Sequence, residues 1–176
     1  EAESRKLREE AALLQAAGYR TALLGKWHSS GPMPHERGCF DETLCSHVSN
    51  PFIDYHHPKL ARNGKVAVSE EYSTDLFARE AVEFIESNKT RPFSLTVTFN
   101  APHTPLEAPL DEIKPFTDKG QFNLGVSMIY AMIHRMDTGC AAILDALAHH
   151  GLTENTIVVF CSDNGPQFGG QGEHAT

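Results

Sequence analysis

The sequence predicts an α/β domain, a mostly parallel sheet with helices packed on both faces. Three observations carry that prediction. Segments with helical spacing alternate three times with segments of strand character. Of the strand segments, residues 93–99 alternate strictly, whereas residues 156–161 are apolar without a break. All three strand segments end in polar residues at their carboxyl side, which is where α/β sheets bind ligands.

In chain order, residues 4–17 place Leu7, Ala11 and Leu14 on one helical face, with Gly18 as the stop. Residues 21–24 form a short buried strand that runs out into Lys26, Trp27 and His28. From residue 29 to 69 the pattern dissolves into Gly, Pro, His and Asn, so a long loop that shapes a substrate site is expected. Residues 73–87 return to helix, with Leu76, Phe77, Ala81, Phe84 and Ile85 as the buried stripe. The strand at 93–99 presents one apolar face and leads into Asn100-Ala101-Pro102-His103-Thr104-Pro105, where two prolines stiffen a loop around a histidine. Residues 124–149 form the longest helix, its stripe made of Ile129, Met132, Ile133, Met136, Cys140, Ile143, Leu144 and Leu147. Gly151 ends it. The apolar run at 156–161 reads as a strand buried on both faces, and it stops at Ser162-Asp163-Asn164-Gly165.

The 176 residues are one domain's worth, and 40% hydrophobic with 22% charged residues is an ordinary globular composition. A net charge of -8 with no cluster of Lys and Arg argues against a nucleic-acid partner. It leaves room for a small anionic substrate, because a local cationic pocket can oppose the global charge. No apolar run reaches the roughly 20 residues of a membrane helix, so no membrane segment is expected here. The chain opens without Met and stops just after a glycine-rich turn, and both ends read as cuts through a longer protein.

Cys39, Cys45, Cys140 and Cys161 lack C-x-x-C spacing, which argues against a zinc site. Cys140 and Cys161 are expected as small core residues; Cys39 and Cys45 share one loop and are close enough in sequence to pair. Asn88-Lys89-Thr90 is a glycosylation sequon in an expected surface turn.

Lys26 and His28 at a strand end suggest an anion-handling site, against the plainer reading of a strand with a polar finish. His103 suits a general acid or an anion contact, the alternative being a solvated loop histidine. Asp163 and Asn164 offer hard oxygens to Ca²⁺ or Mg²⁺, although Asn-Gly is also the commonest hairpin turn. His56 and His57 read as surface residues, and His149 and His150 as favouring a helix terminus. His134 reads as structural, with Arg135 and Asp137 on the solvated side of their helix.

Residues 18–28, Gly-Tyr-Arg-Thr-Ala-Leu-Leu-Gly-Lys-Trp-His, closely resemble the second signature of the sulfatases. The following pieces keep the order of that family: Arg37-Gly38-Cys39-Phe40-Asp41, Tyr72-Ser73-Thr74-Asp75, Pro92-Phe93, Ala101-Pro102-His103-Thr104-Pro105 and Ser162-Asp163-Asn164-Gly165. The spacing is most like the arylsulfatase B type. The resemblance implies an alkaline-phosphatase-like fold, with residues 1–176 as the central part of a single catalytic domain. It implies hydrolysis of sulfate esters or sulfamates by a formylglycine made from Cys or Ser in a C/S-x-P-x-R motif. Lys26 and His28 would contact the formylglycine hydroxyls, and His28 would take a proton as sulfate is expelled. His103 would touch the sulfate and the leaving oxygen. Asp163 and Asn164 would be metal ligands, for Ca²⁺ rather than Mg²⁺. Implied partners are a sulfated carbohydrate or aryl sulfate and the formylglycine-generating enzyme; an extracytoplasmic location follows from the same likeness.

None of the four cysteines lies in C-x-P-x-R, so the nucleophile is expected upstream of Glu1 and these residues alone are expected to be inactive. Cys39 also interrupts the family's Arg-Gly-Phe-Asp. Two other readings compete: a phosphatase or phosphodiesterase of the same superfamily, and a non-catalytic binder of sulfated glycans.

Overall fold

The structure, a computed structural model, describes residues 2–27, 33–46 and 54–165. Its elements are α1 (Ala2–Ala16), β1 (Arg20–Gly25), β2 (Glu42–Ser46), β3 (Lys59–Arg62), β4 (Lys65–Val68), α2 (Ser73–Asn88), β5 (Phe93–Thr98), α3 (Leu110–Thr117) and α4 (Leu124–His149). The strands form one sheet in the order β4-β3-β2-β1-β5. β1 runs parallel to both β2 and β5, while β2, β3 and β4 are joined antiparallel. The expected α/β sheet is therefore present, a parallel centre extended by an antiparallel hairpin.

Strand alternation sends successive side chains to opposite faces, and the two faces carry separate cores. Leu24, Leu44 and Leu60 pack with Leu76, Phe77, Ala81 and Met132 under α2 and α4. Leu23, Cys45 and Ala61 pack on the other side with Ala11 of α1, Trp27, Met33 and Phe40. α4 starts where Asn123 caps it, its side chain accepting from the Val126 amide at 2.9 Å.

Several expectations need correction. The stretch 29–69 is not a plain loop: its described parts hold β2 and the β3–β4 hairpin. The hairpin turns through Asn63 and Gly64, both at positive φ (47° and 87°), which is the two-residue turn that an Asn-Gly pair favours. α3 was not expected either; Pro115 inside it hides the helical pattern. Residues 156–161 are not a buried strand: Ile157 is 93% exposed and Phe160 76%. A strand is buried by its neighbours, and β5 pairs among the described residues with β1 alone. Cys161 is exposed for the same reason, and Cys140 is only half-buried. No disulfide joins Cys39 to Cys45; Cys45 lies buried in β2, where burial pushes its thiol up to about 12. In α4, Ile133 and Leu144 are exposed because α2 and α3 cover a narrower stripe than the spacing suggests. His134 is exposed rather than packed.

Asp41 ties β1 to the start of β2. Its carboxylate accepts from the Thr21 amide at 2.8 Å and the Thr21 hydroxyl at 3.0 Å, and it pairs with Arg20 at 3.2 Å. Burial raises the Asp41 pKa, but the hydrogen bonds from Thr21 and Gln15 and the Arg20 charge together outweigh it, and the net shift is downward. A carboxyl depressed in the folded state contributes stability above its unfolded pKa and loses it as pH falls through the folded one. Urea midpoints should therefore fall between about pH 5 and pH 2, and should fall less in Asp41→Asn. An equal fall in both proteins would remove Asp41 as the cause.

Candidate active site

Two parallel strands deliver the first site residues to the same edge. β1 and β5 run in the register Gly25↔Thr98, so Lys26 and the turn at 100–105 leave the sheet side by side. The crossing is close. The Lys26 amide donates to the Thr98 carbonyl at 2.7 Å, and the Thr98 hydroxyl donates to the carbonyls of Leu24 (3.3 Å) and Lys26 (2.8 Å). Gly25 sits at φ +117°, and a Cβ there would lie 2.0 Å from the Thr98 carbonyl oxygen. Only glycine fits.

The Lys26 ammonium lies 3.5 Å from Oδ2 of Asp163. The segment 156–161, though outside the sheet, thus still brings its terminal Asp to the end of β1. The lysine side chain is 24% exposed and the aspartate 70%, so solvent weakens the pair and leaves the ammonium able to take another anion.

His103 is exposed in the turn after β5. Its amide donates to the Asn100 carbonyl at 2.9 Å, and Nδ1 lies 2.6 Å from the Thr104 carbonyl oxygen. A carbonyl only accepts, so Nδ1 carries the hydrogen and Nε2 is the nitrogen left for proton exchange. Asn164 donates through Nδ2 to the Gly165 carbonyl at 2.8 Å, a bond that does not engage its Oδ1, and the Asp163 carboxylate belongs to the preceding residue. These hard oxygens fit a divalent cation such as Ca²⁺ as two of its several ligands. No group of three or more His, Cys, Asp or Glu among the described residues could complete the set. His28 lies outside the described residues.

A family model described as Sulfatase matches residues 11–176. The chain belongs to the sulfatase family. It is 30% identical to the uncharacterized sulfatase YdeN of Escherichia coli (strain K12), over 90% of this chain and 33% of that protein. It is 26% identical to an arylsulfatase of Klebsiella aerogenes, over 85% and 45% of the two chains. Among solved structures it resembles Ps i-CgsB, determined in complex with k-i-k-neocarrahexaose, at a TM-score of 0.71 and 29% identity. That likeness covers 82% of this chain and 37% of that one. The sulfatase chain thus spans less than half the length of these relatives.

Behind the His103 turn this sulfatase carries a polar network that helical periodicity does not reveal. Arg135, expected on a solvated face, is half-buried. It bonds to both oxygens of Asp75 (2.8 and 2.5 Å) and to Glu112, and its guanidinium lies 4.4 Å from the Tyr72 ring centre. Its acidic partners hold its pKa above the usual arginine value despite burial. The Tyr72 hydroxyl donates to the Glu107 carbonyl at 2.6 Å, and Tyr72 stacks on Tyr55 at 5.5 Å. Tyr55 follows Asp54 in the stretch read as loop, and Tyr72 stands just beyond it in the family-like Tyr72-Ser73-Thr74-Asp75.

Proposed function

We propose that residues 1–176 are the central part of a single catalytic domain and supply part of the active site of a sulfuric ester hydrolase. The observation that carries this is the meeting of Lys26 with Asp163, two family-motif residues 137 positions apart, at the end of β1 beside the His103 turn. Lys26 would oppose the charge of the sulfate group, the preorganised electrostatics on which such transfers depend. His103 would pass a proton from Nε2 to the leaving oxygen, and His28 would take one up as sulfate is released. Asp163 and Asn164 would hold a Ca²⁺ ion. When present, that ion offsets charge on the sulfuryl oxygens, and a formylglycine outside these residues, installed by its generating enzyme, supplies the nucleophilic oxygen. The substrate we infer is a sulfated carbohydrate, supported by the sugar-bound relative, or an aryl sulfate, supported by the Klebsiella aerogenes one.

In the full-length protein, 4-methylumbelliferyl sulfate should be hydrolysed and the matching phosphate should not. In His103→Ala, turnover of an alkyl sulfate, whose leaving oxygen needs the proton, should be lost with the thermal midpoint unchanged. Turnover of the phosphate alone would move the assignment to a phosphatase, and turnover of neither would leave a binding protein.

A further inference from the structure

We propose that Tyr55 is a positioning residue that holds the His103 backbone where its imidazole meets the leaving oxygen. This rests on the acid role proposed above for His103. Tyr55 is fully buried, yet its hydroxyl reaches the turn and donates to the His103 carbonyl at 2.9 Å. Its own amide donates to the Glu107 carboxylate at 3.0 Å, so one residue grips the turn at two points four residues apart. Tyr55 is itself fixed: its carbonyl accepts from the Ser73 amide at 2.8 Å at the start of α2, and its ring rests on Tyr72. Tyr72 in turn lies under Arg135 of α4. The exposed histidine is thereby tied to the packed core through one hydroxyl. Burial raises the Tyr55 pKa, so that hydroxyl stays a donor.

In the step concerned, the sulfur–oxygen bond to the leaving group breaks and its electron pair stays on that oxygen. The sulfuryl group passes to a nucleophilic oxygen, and the proton on Nε2 of the His103 imidazolium goes to the departing oxygen. Such help matters for an alkyl or sugar leaving group and little for a 4-nitrophenolate.

Tyr55→Phe in the full-length protein removes the hydroxyl and keeps the ring. On a simple alkyl sulfate kcat should fall about tenfold or more, with KM unchanged. On 4-nitrophenyl sulfate the fall should be less than about threefold. His103→Ala should show the same dependence on leaving group, and the double variant should add little to it. Equal losses on both substrates in Tyr55→Phe, beside the expected His103→Ala signature, overturn the Tyr55 assignment alone. A His103→Ala variant indifferent to the leaving group overturns the acid role and this assignment with it. Amide exchange at residues 100–107 reads the anchor without turnover. It should quicken about tenfold in Tyr55→Phe, and unchanged exchange overturns the proposal whatever the protein hydrolyses.

Discussion

Replacing Gly25 with alanine should destabilise the protein by about 3 kcal/mol or more, a large share of the stability of an ordinary domain. Two costs add. The residue sits at φ +117°, a conformation L side chains rarely adopt, and the new methyl would lie 2.0 Å from the Thr98 carbonyl oxygen and 2.7 Å from its carbon. Neither atom can step aside. That carbonyl takes the Lys26 amide, and the Thr98 hydroxyl bonds back to Leu24 and Lys26, so relief requires β1 and β5 to part. Gly151→Ala is the control. Gly151 also has a positive φ, 67°, but a methyl there meets nothing within 4 Å, so only the backbone cost of about 1–2 kcal/mol should appear. Urea unfolding of both variants tests this, and equal midpoints would show that the β1–β5 crossing yields easily.

The elements that sequence reading places well are those whose neighbours matter least to the pattern. α4 spans Leu124–His149, the range its spacing predicts, because 26 residues average out single misfits. β2, β3 and β4 have five, four and four residues, too few for a period to show against the polar residues around them. The Asn63-Gly64 pair was a usable hairpin signal; Asn164-Gly165 carries the same signal and among the described residues joins no strands. The apolar run 156–161 fails in the opposite way. Its composition is that of a core strand, but burial is a property of two partners, and sequence shows only one of them.

The same limit governs the site. Lys26, His103, Asp163 and Asn164 were readable as candidates because each follows a segment of strand character, the end at which α/β sheets bind ligands. Arg135 and Tyr55 were not, because their roles rest on partners far along the chain. Arg135 finds Asp75 60 residues away and Glu112 23 away, and Tyr55 finds the His103 carbonyl 48 away. A helical wheel places a residue on a face; it does not say what approaches that face.

Lys26→Met should lower kcat/KM for a sulfate ester about 10²–10³-fold in the full-length protein while leaving the fold intact. Methionine keeps most of the apolar stem and removes only the charge. The ion pair with Asp163 spans 3.5 Å between groups 24% and 70% exposed, so its loss costs about 0–1 kcal/mol of stability. A structural pair and an active-site pair differ in their readouts. If the pair serves the fold, Lys26→Met and Asp163→Asn each lower the urea midpoint and the double variant adds nothing. If Lys26 serves the substrate anion, midpoints stay together, turnover falls in Lys26→Met, and the loss is larger for sulfate hydrolysis than for binding of a neutral sugar. Activity retained within threefold of wild type would detach Lys26 from the chemistry, leaving the Gly25–Lys26 crossing with a purely structural role.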